Sequence, residues 1–408
     1  MKSSSVCPLA ITVLISLFAL TSVLRGNDGT VAEYDPATTE ELRIRDGLPN
    51  FFAKLKAGQT VRIAYLGGSI TAANGWRPKT LEWFKTQYPN AQIIEINAAI
   101  SGTGSDYGAC RLEHDVLSKS PDLVFMEHRV NGGGGYEAKS VEGIIRQVWK
   151  KYPKTDICLI YTLSQGMLKN MQAGRQTWFG KVMETVANAY GVPSIELGLE
   201  IAKREQAGSL IFKNDAPVPG KLVFSRDGVH PGDEGHEVYR QIIARSMLTM
   251  HDKGHAGAHK LSEPLEANCW ETTQLIPITR AALSSGWTPI DIKTDPVYRE
   301  SFGRTNAMLR GGVKCDQVGQ TVTVKWRGTT LGFSDIPHGE GMEVEVIIDQ
   351  GEPITIKRPQ REKTRHARFF YLPEQMPGEH TAVLRVSKLP AGHSYYLGQI
   401  LVIGTALP

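Results

Sequence analysis

The stretch "AYLGGSIT" (64–71) ends an apolar run, Val61 to Leu66, at two glycines and a serine. Ser and Gly are ordinary turn residues, so Ser69 alone reads as a turn serine. A serine hydroxyl becomes a nucleophile only when a base removes its proton. The chain offers one in "SRDGVHPGDEGH", where Asp227 and His230 stand three residues apart. A carboxylate on one ring nitrogen fixes the productive imidazole tautomer and stabilises the imidazolium that forms. Ser69, His230 and Asp227 are therefore a candidate nucleophile–base–carboxylate triad. The attacked carbonyl becomes a negative oxygen, and each preorganised donor to it is worth about 3–4 kcal/mol. The candidate donors are the backbone N–H of Ser69, the backbone N–H of Gly102 in "NAAISGTGSDYG", and the side-chain amide of Asn131 in "EHRVNGGGG".

These residues are far apart in sequence, so a fold must bring them together. From about residue 60 to 250, apolar strand-like runs ("VRIAYL", "QIIEIN", "DLVFMEH", "DICLIY", "SIEL") alternate with amphipathic helix-like segments. That alternation predicts a parallel sheet covered on both faces, a three-layer α/β/α domain. In such a sheet the carboxyl ends of the strands share one edge, where ligands bind. Ser69, Gly102 and Asn131 each follow a strand, and Asp227 and His230 precede the last helix. After "HDKGHAGAHK" (251–260) short alternating segments follow, from "TVTVKW" to "YYLGQILVIG". These predict an antiparallel β-sandwich of the jelly-roll sort. The expected division is a leader at 1–26, a hydrolase domain at 36–255 and a β-sandwich domain at 262–408.

In order, Ser69, Gly102, Asn131 and Asp227-x-x-His230 match the four blocks of the SGNH (GDSL-like) hydrolases, and the chain resembles that family over roughly residues 60–250. "DGVHP" and "NAAISGTGS" are its most specific pieces. The chain looks closest to members that read "YLGGSIT", carry a C-terminal β-sandwich and are linked to polysaccharide deacetylation. The resemblance implies a serine esterase acting on O-acyl, above all O-acetyl, groups of carbohydrate. Two departures stand out. Gly68 replaces the family's common Asp before the nucleophile, and the third block reads Arg129-Val130-Asn131-Gly132.

Strand alternation puts Arg129 on the same side as Asn131. The expectation is that its planar fork contacts substrate, favouring an acidic glycan. The alternative is an internal salt bridge to Glu127 or Glu113. Trp76 is a candidate cleft-lining aromatic or core packing. His114 and His128 read as structural or exposed, and His236 as packing or solvent-facing.

Composition narrows the class. The 408 residues are 41% hydrophobic and 22% charged, with a net charge of +4. With no dense Lys/Arg run, nucleic acid is not an expected partner. The N-terminus has one early Lys and then an apolar run from about Val6 to Leu24. This reads as a secretory signal cleaved near residue 25, or as a short anchor, and places the protein outside the cytoplasm or in the periplasm. Cys158 reads as an apolar core filler, while Cys269 and Cys315 are open to pairing. No metal-ligand cluster and no organic cofactor are expected. The expected partner is an acetylated oligo- or polysaccharide. Two rival readings remain: a catalytically silent carbohydrate-binding protein, and a lipase, thioesterase or lyase using the same cleft.

Overall fold

The computed structural model describes residues 34–297, 304–337, 341–359 and 366–408. The expected leader, with Cys7, lies outside them.

The apolar runs become strands. β1 (Leu42–Arg43), β2 (Val61–Gly67), β3 (Ile93–Asn97), β4 (Leu123–Glu127), β5 (Asp156–Tyr161) and β6 (Ser194–Glu196) form one sheet in the order β1-β6-β5-β4-β2-β3. Neighbours run parallel except β1, which pairs antiparallel with β6. The helices are α1 (Pro49–Lys56), α2 (Ser69–Ala72), α3 (Trp76–Gln87), α4 (Ser105–Asp115), α5 (Glu137–Lys151), α6 (Leu168–Gln172), α7 (Trp178–Ala189), α8 (Gly198–Gln206) and α9 (Asp233–Met250). Strand alternation divides the core. On β4, Val124 and Met126 join the cluster under α4, α5 and α7, while Leu123 and Phe125 join the one under α1, α3 and α9. All five β4 residues are buried, as expected of a parallel strand with both faces covered.

The order of this sheet fixes where a site can form. From β2 the chain crosses to β3 on one side and then to β4 on the other. The carboxyl ends of β2 and β4 therefore border a switch point, where a crevice opens.

Beyond residue 270 the strands are β7 to β16 once the small parallel pair Leu210–Lys213 and Leu222–Ser225 is set aside: β7 (Thr273–Pro277), β8 (Ala282–Leu283), β9 (Thr288–Pro289), β10 (Val313–Cys315), β11 (Thr321–Ile336), β12 (Glu343–Ile348), β13 (Ile354–Lys357), β14 (Arg368–Tyr371), β15 (Gly378–Lys388) and β16 (Tyr395–Ala406). They pair antiparallel throughout. In the expected antiparallel β domain, ten strands among the described residues form one hydrogen-bonded network. The link is β11, 16 residues long. It pairs with β15 at its start and β14 at its end, with β-bulges along its edge to β16. Inward residues such as Val324, Trp326, Phe333, Val346 and Leu384 make this domain's own core. A short helix, α10 (Arg304–Met308), precedes β10.

The two domains are packed together. Tyr107 of α4 stacks on Phe369 of β14, with centroids 5.0 Å apart and 18° between planes. Trp270, fully buried, meets Tyr136 and Tyr371 at 4.8 and 5.2 Å. Cys110, Cys158, Cys269 and Cys315 are all buried and free, so Cys269 and Cys315 do not pair. No described helix is long and apolar enough to cross a membrane.

Candidate active site

Ser69 is the first residue of α2, immediately past β2. The turn places its side chain at the sheet edge while Ala72 and Ala73 N–H groups bond back to Gly68 and Ser69 carbonyls. Gly68 has a structural reason. A Cβ there would stand 1.9 Å from Asn131 Oδ1. Glycine at this position thus lets the Asn131 amide lie directly against the turn that carries Ser69.

His230 Nε2 lies 2.7 Å from Ser69 Oγ, and its Nδ1 lies 2.6 Å from Asp227 Oδ2. Asp227 Oδ1 accepts the backbone N–H groups of Val229 and His230, both at 2.8 Å, and the Ser225 hydroxyl at 3.0 Å. Burial alone would raise the Asp227 pKa. The His230 ring, the two N–H groups and Ser225 outweigh that and hold it well below the usual carboxylate range. The pair is about half exposed, so hydrogen bonding rather than seclusion keeps Asp227 ionised. The loop is pinned at both ends. Gln165 N–H donates to Gly228 O at 2.8 Å, and Gly232 N–H donates to Phe224 O at 2.7 Å.

Gly102 and Asn131 lie on the neighbouring loops. The loop after β3 is tied to β2 by Ile100 N–H on Gly67 O at 3.0 Å, and Gly102 turns with φ +68. The N–H groups of Asn131 and Gly132 both donate to His128 O, and Gly132 O accepts Ser105 N–H at 2.9 Å. The loops after β3 and β4 are therefore joined beside the serine.

Arg129 is not at this edge. It is 1% exposed. Its guanidinium pairs with both Glu196 oxygens, one at 2.7 Å, and donates to Thr162 O at 3.0 and 2.7 Å and to Gln176 at 3.1 Å. The expectation of substrate contact is corrected. β4 stops at Glu127 and residues 129–131 form a turn, so strand alternation does not apply beyond Glu127. The internal salt bridge exists, but to Glu196 rather than Glu127 or Glu113. Trp76 is also core, fully buried and 5.5 Å from the Tyr65 ring. His128 and His236 are buried, and His114 is exposed beside Asp115.

Glu127 was missed from sequence. This carboxylate, 1% exposed, accepts the Thr71 hydroxyl at 2.8 Å and the Thr162 hydroxyl at 2.7 Å, with Gly68 N–H at 3.4 Å. Burial pushes its pKa up. It links the turn that carries Ser69 to the ends of β4 and β5. The available signal was a lone acidic residue ending the apolar run "LVFME".

Residues 65–238 match the GDSL-like Lipase/Acylhydrolase family. The α/β domain is thus a GDSL-like domain, and the class of protein it defines is a serine ester hydrolase. Among solved structures, a two-domain esterase (CEX) active on acetylated mannans, co-crystallized with mannopentaose, is similar at TM-score 0.71 and 21% identity, over 87% of this chain and 93% of that one. A second structure of a two-domain esterase (CEX) active on acetylated mannans gives TM-score 0.71 and 20% identity, over 91% and 98%. The likeness spans both domains and shows that they share this arrangement. No curated protein matches the chain.

Proposed function

We propose that the protein is an exported esterase that removes O-acetyl groups from carbohydrate through an acyl-enzyme on Ser69. The observation that carries this reading is the pair of short hydrogen bonds linking Ser69, His230 and Asp227, at 2.7 and 2.6 Å. In this reading Ser69 Oγ attacks the ester carbonyl as His230 Nε2 takes its proton. Asp227 holds the ring and stabilises the imidazolium. The N–H groups of Ser69 and Gly102 and the Asn131 amide receive the oxyanion. Collapse expels the sugar oxygen, protonated by His230. Water, deprotonated by His230, then releases acetate and frees Ser69. The route calls for no metal or organic cofactor.

Two observations support carbohydrate as the substrate class. The similar two-domain esterase acts on acetylated mannans. The loop at 131–136 is largely exposed and rich in Gly, which suits sugar better than a long acyl chain, whereas residues 103–108, expected as a second such loop, are buried and enter α4. Export rests on the residue 1–26 leader, and sequencing a mature N-terminus near residue 26 would test it. The functional test is acetate release from acetylated glucomannan, xylan and polyuronate by wild type and Ser69→Ala. Release by wild type alone is expected. Release from none of them, with thioesters or long-chain esters cleaved instead, would overturn the carbohydrate assignment.

A further inference from the structure

Ser69 opens α2, a helix of four residues. A single turn has little stability of its own, because fixing it costs entropy that few hydrogen bonds offset. On the open side its partner His230 is about half exposed. The place of Ser69 must therefore be set from behind, by the buried ends of the strands.

Behind the turn lies Glu127, the last residue of β4, opposite Gly67 in the β2–β4 register. Its Oε2 accepts the Thr71 hydroxyl at 2.8 Å, and Thr71, two residues after Ser69, is fully buried. Its Oε1 accepts the hydroxyl of Thr162 at 2.7 Å, a fully buried residue just past β5. Thr162 O in turn accepts two N–H groups of Arg129, which pairs with Glu196 of β6. Buried polar groups thus tie the turn across the ends of β2, β4, β5 and β6. Gly67 fits the same arrangement. A Cβ there would stand 2.8 Å from both Thr71 Oγ1 and Glu127 O, and 3.0 Å from Glu127 Oε2. Glycine at 67 leaves room for the carboxylate and its threonine, as glycine at 68 leaves room for the Asn131 amide. The donors suit an ionised carboxylate. Two hydroxyls and the Gly68 N–H, at 3.4 Å, all donate to it. A carboxylate only accepts, whereas an amide presents two N–H donors on one side.

We propose that Glu127 is a positioning residue for the reaction, setting the Ser69 hydroxyl relative to His230 through Thr71. The inference rests on the esterase reading above, in which Ser69 is the nucleophile. Glu127 itself touches no reacting atom. A carboxylate that served stability alone would leave kcat unchanged in the folded enzyme.

The test measures kcat and KM on 4-nitrophenyl acetate, the rate of Ser69 labelling by a fluorophosphonate, and the melting temperature. Thr71→Val keeps the shape and loses the hydroxyl. It should lower kcat by about 10- to 100-fold with KM little changed, as a small misplacement of a reacting group does. Thr71→Ser, which restores a hydroxyl, should recover most of that loss. Glu127→Gln should lower kcat in the same range, and the Glu127→Gln/Thr71→Val double variant should lose less than the product of the two, as coupled neighbours do. Labelling should slow in step with kcat. Should Glu127→Gln fail to fold, the two Thr71 variants still decide the matter. Wild-type kcat in folded Thr71→Val, a Thr71→Ser enzyme as slow as Thr71→Val, or a lower melting temperature with unchanged kcat in Glu127→Gln overturns the positioning role and leaves the esterase. No ester turnover and no Ser69 labelling in wild type overturns the esterase reading and the positioning role with it.

Discussion

At the scale of single residues, the account turns on groups that touch Ser69 and groups that hold it. Ser69→Ala and His230→Ala should lower kcat by roughly 10⁴-fold or more, and Asp227→Asn by about 10⁴-fold because the productive tautomer is lost. Each variant should keep the wild-type melting profile, since all three positions are partly exposed. Asn131→Ala should cost about 10²–10³ in kcat on any ester. Gly68→Ala is the sharper probe. Its methyl collides with Asn131 Oδ1, and displacing a catalytic group by about 1 Å costs around 10²-fold. A Gly68→Ala enzyme with wild-type kcat would show that the Asn131 amide has no part in the reaction. The meeting of Ser69 with His230 and Asp227 was legible because the proposed chemistry asks for those types in that order. The contacts of Glu127 and of Gly68 were not, because both depend on which side chains lie across the strand ends.

The elements act as the frame, and their legibility follows burial. β2, β4 and β5 were read almost to the residue because parallel strands buried on both faces are continuous apolar runs. α2 was missed because it is a single turn of four residues with no room for a 3.6-residue period. Arg129 was misplaced for a related reason: the strand period was extended past the strand's end. Its pairing with Glu196 ties the turn after β4 to the end of β6. Removing one partner of a buried ion pair costs about 3–5 kcal/mol, because the other charge is left without compensation. Arg129→Gln and Glu196→Gln should therefore each lower the melting temperature by a large margin, and the double variant should lose less than the sum of the two. Both single variants should affect acidic and neutral substrates alike. Selective loss on acidic glycans in Arg129→Gln, at unchanged melting temperature, would contradict the buried role.

For the whole molecule, the two domains share packing at the Tyr107–Phe369 and Trp270–Tyr371 contacts, so acid sensitivity should be a property of the assembled chain. Desolvation lowers His128 to about 3, with the Arg111 charge adding to it, and lowers His236 to about 4. An unfolded histidine titrates near 6.5. Below that pH the unfolded chain takes up protons that the folded one refuses, so stability is lost as pH falls from about 6.5 towards 4. Asp106, raised to about 6 chiefly by burial, acts in the opposite sense between about 4 and 6 and blunts the loss. Melting temperature measured across pH 4–7 should fall on acidification, and His236→Gln should flatten the slope. An unchanged slope in that variant would show that His236 is not held neutral by the fold. The central claim, that Ser69 is a nucleophile activated by His230, is tested most directly by labelling with a fluorophosphonate and mapping the adduct by mass spectrometry. The account predicts one adduct on Ser69 in wild type and none in His230→Ala. An adduct on another serine, or no adduct from an enzyme that still releases acetate, would contradict it.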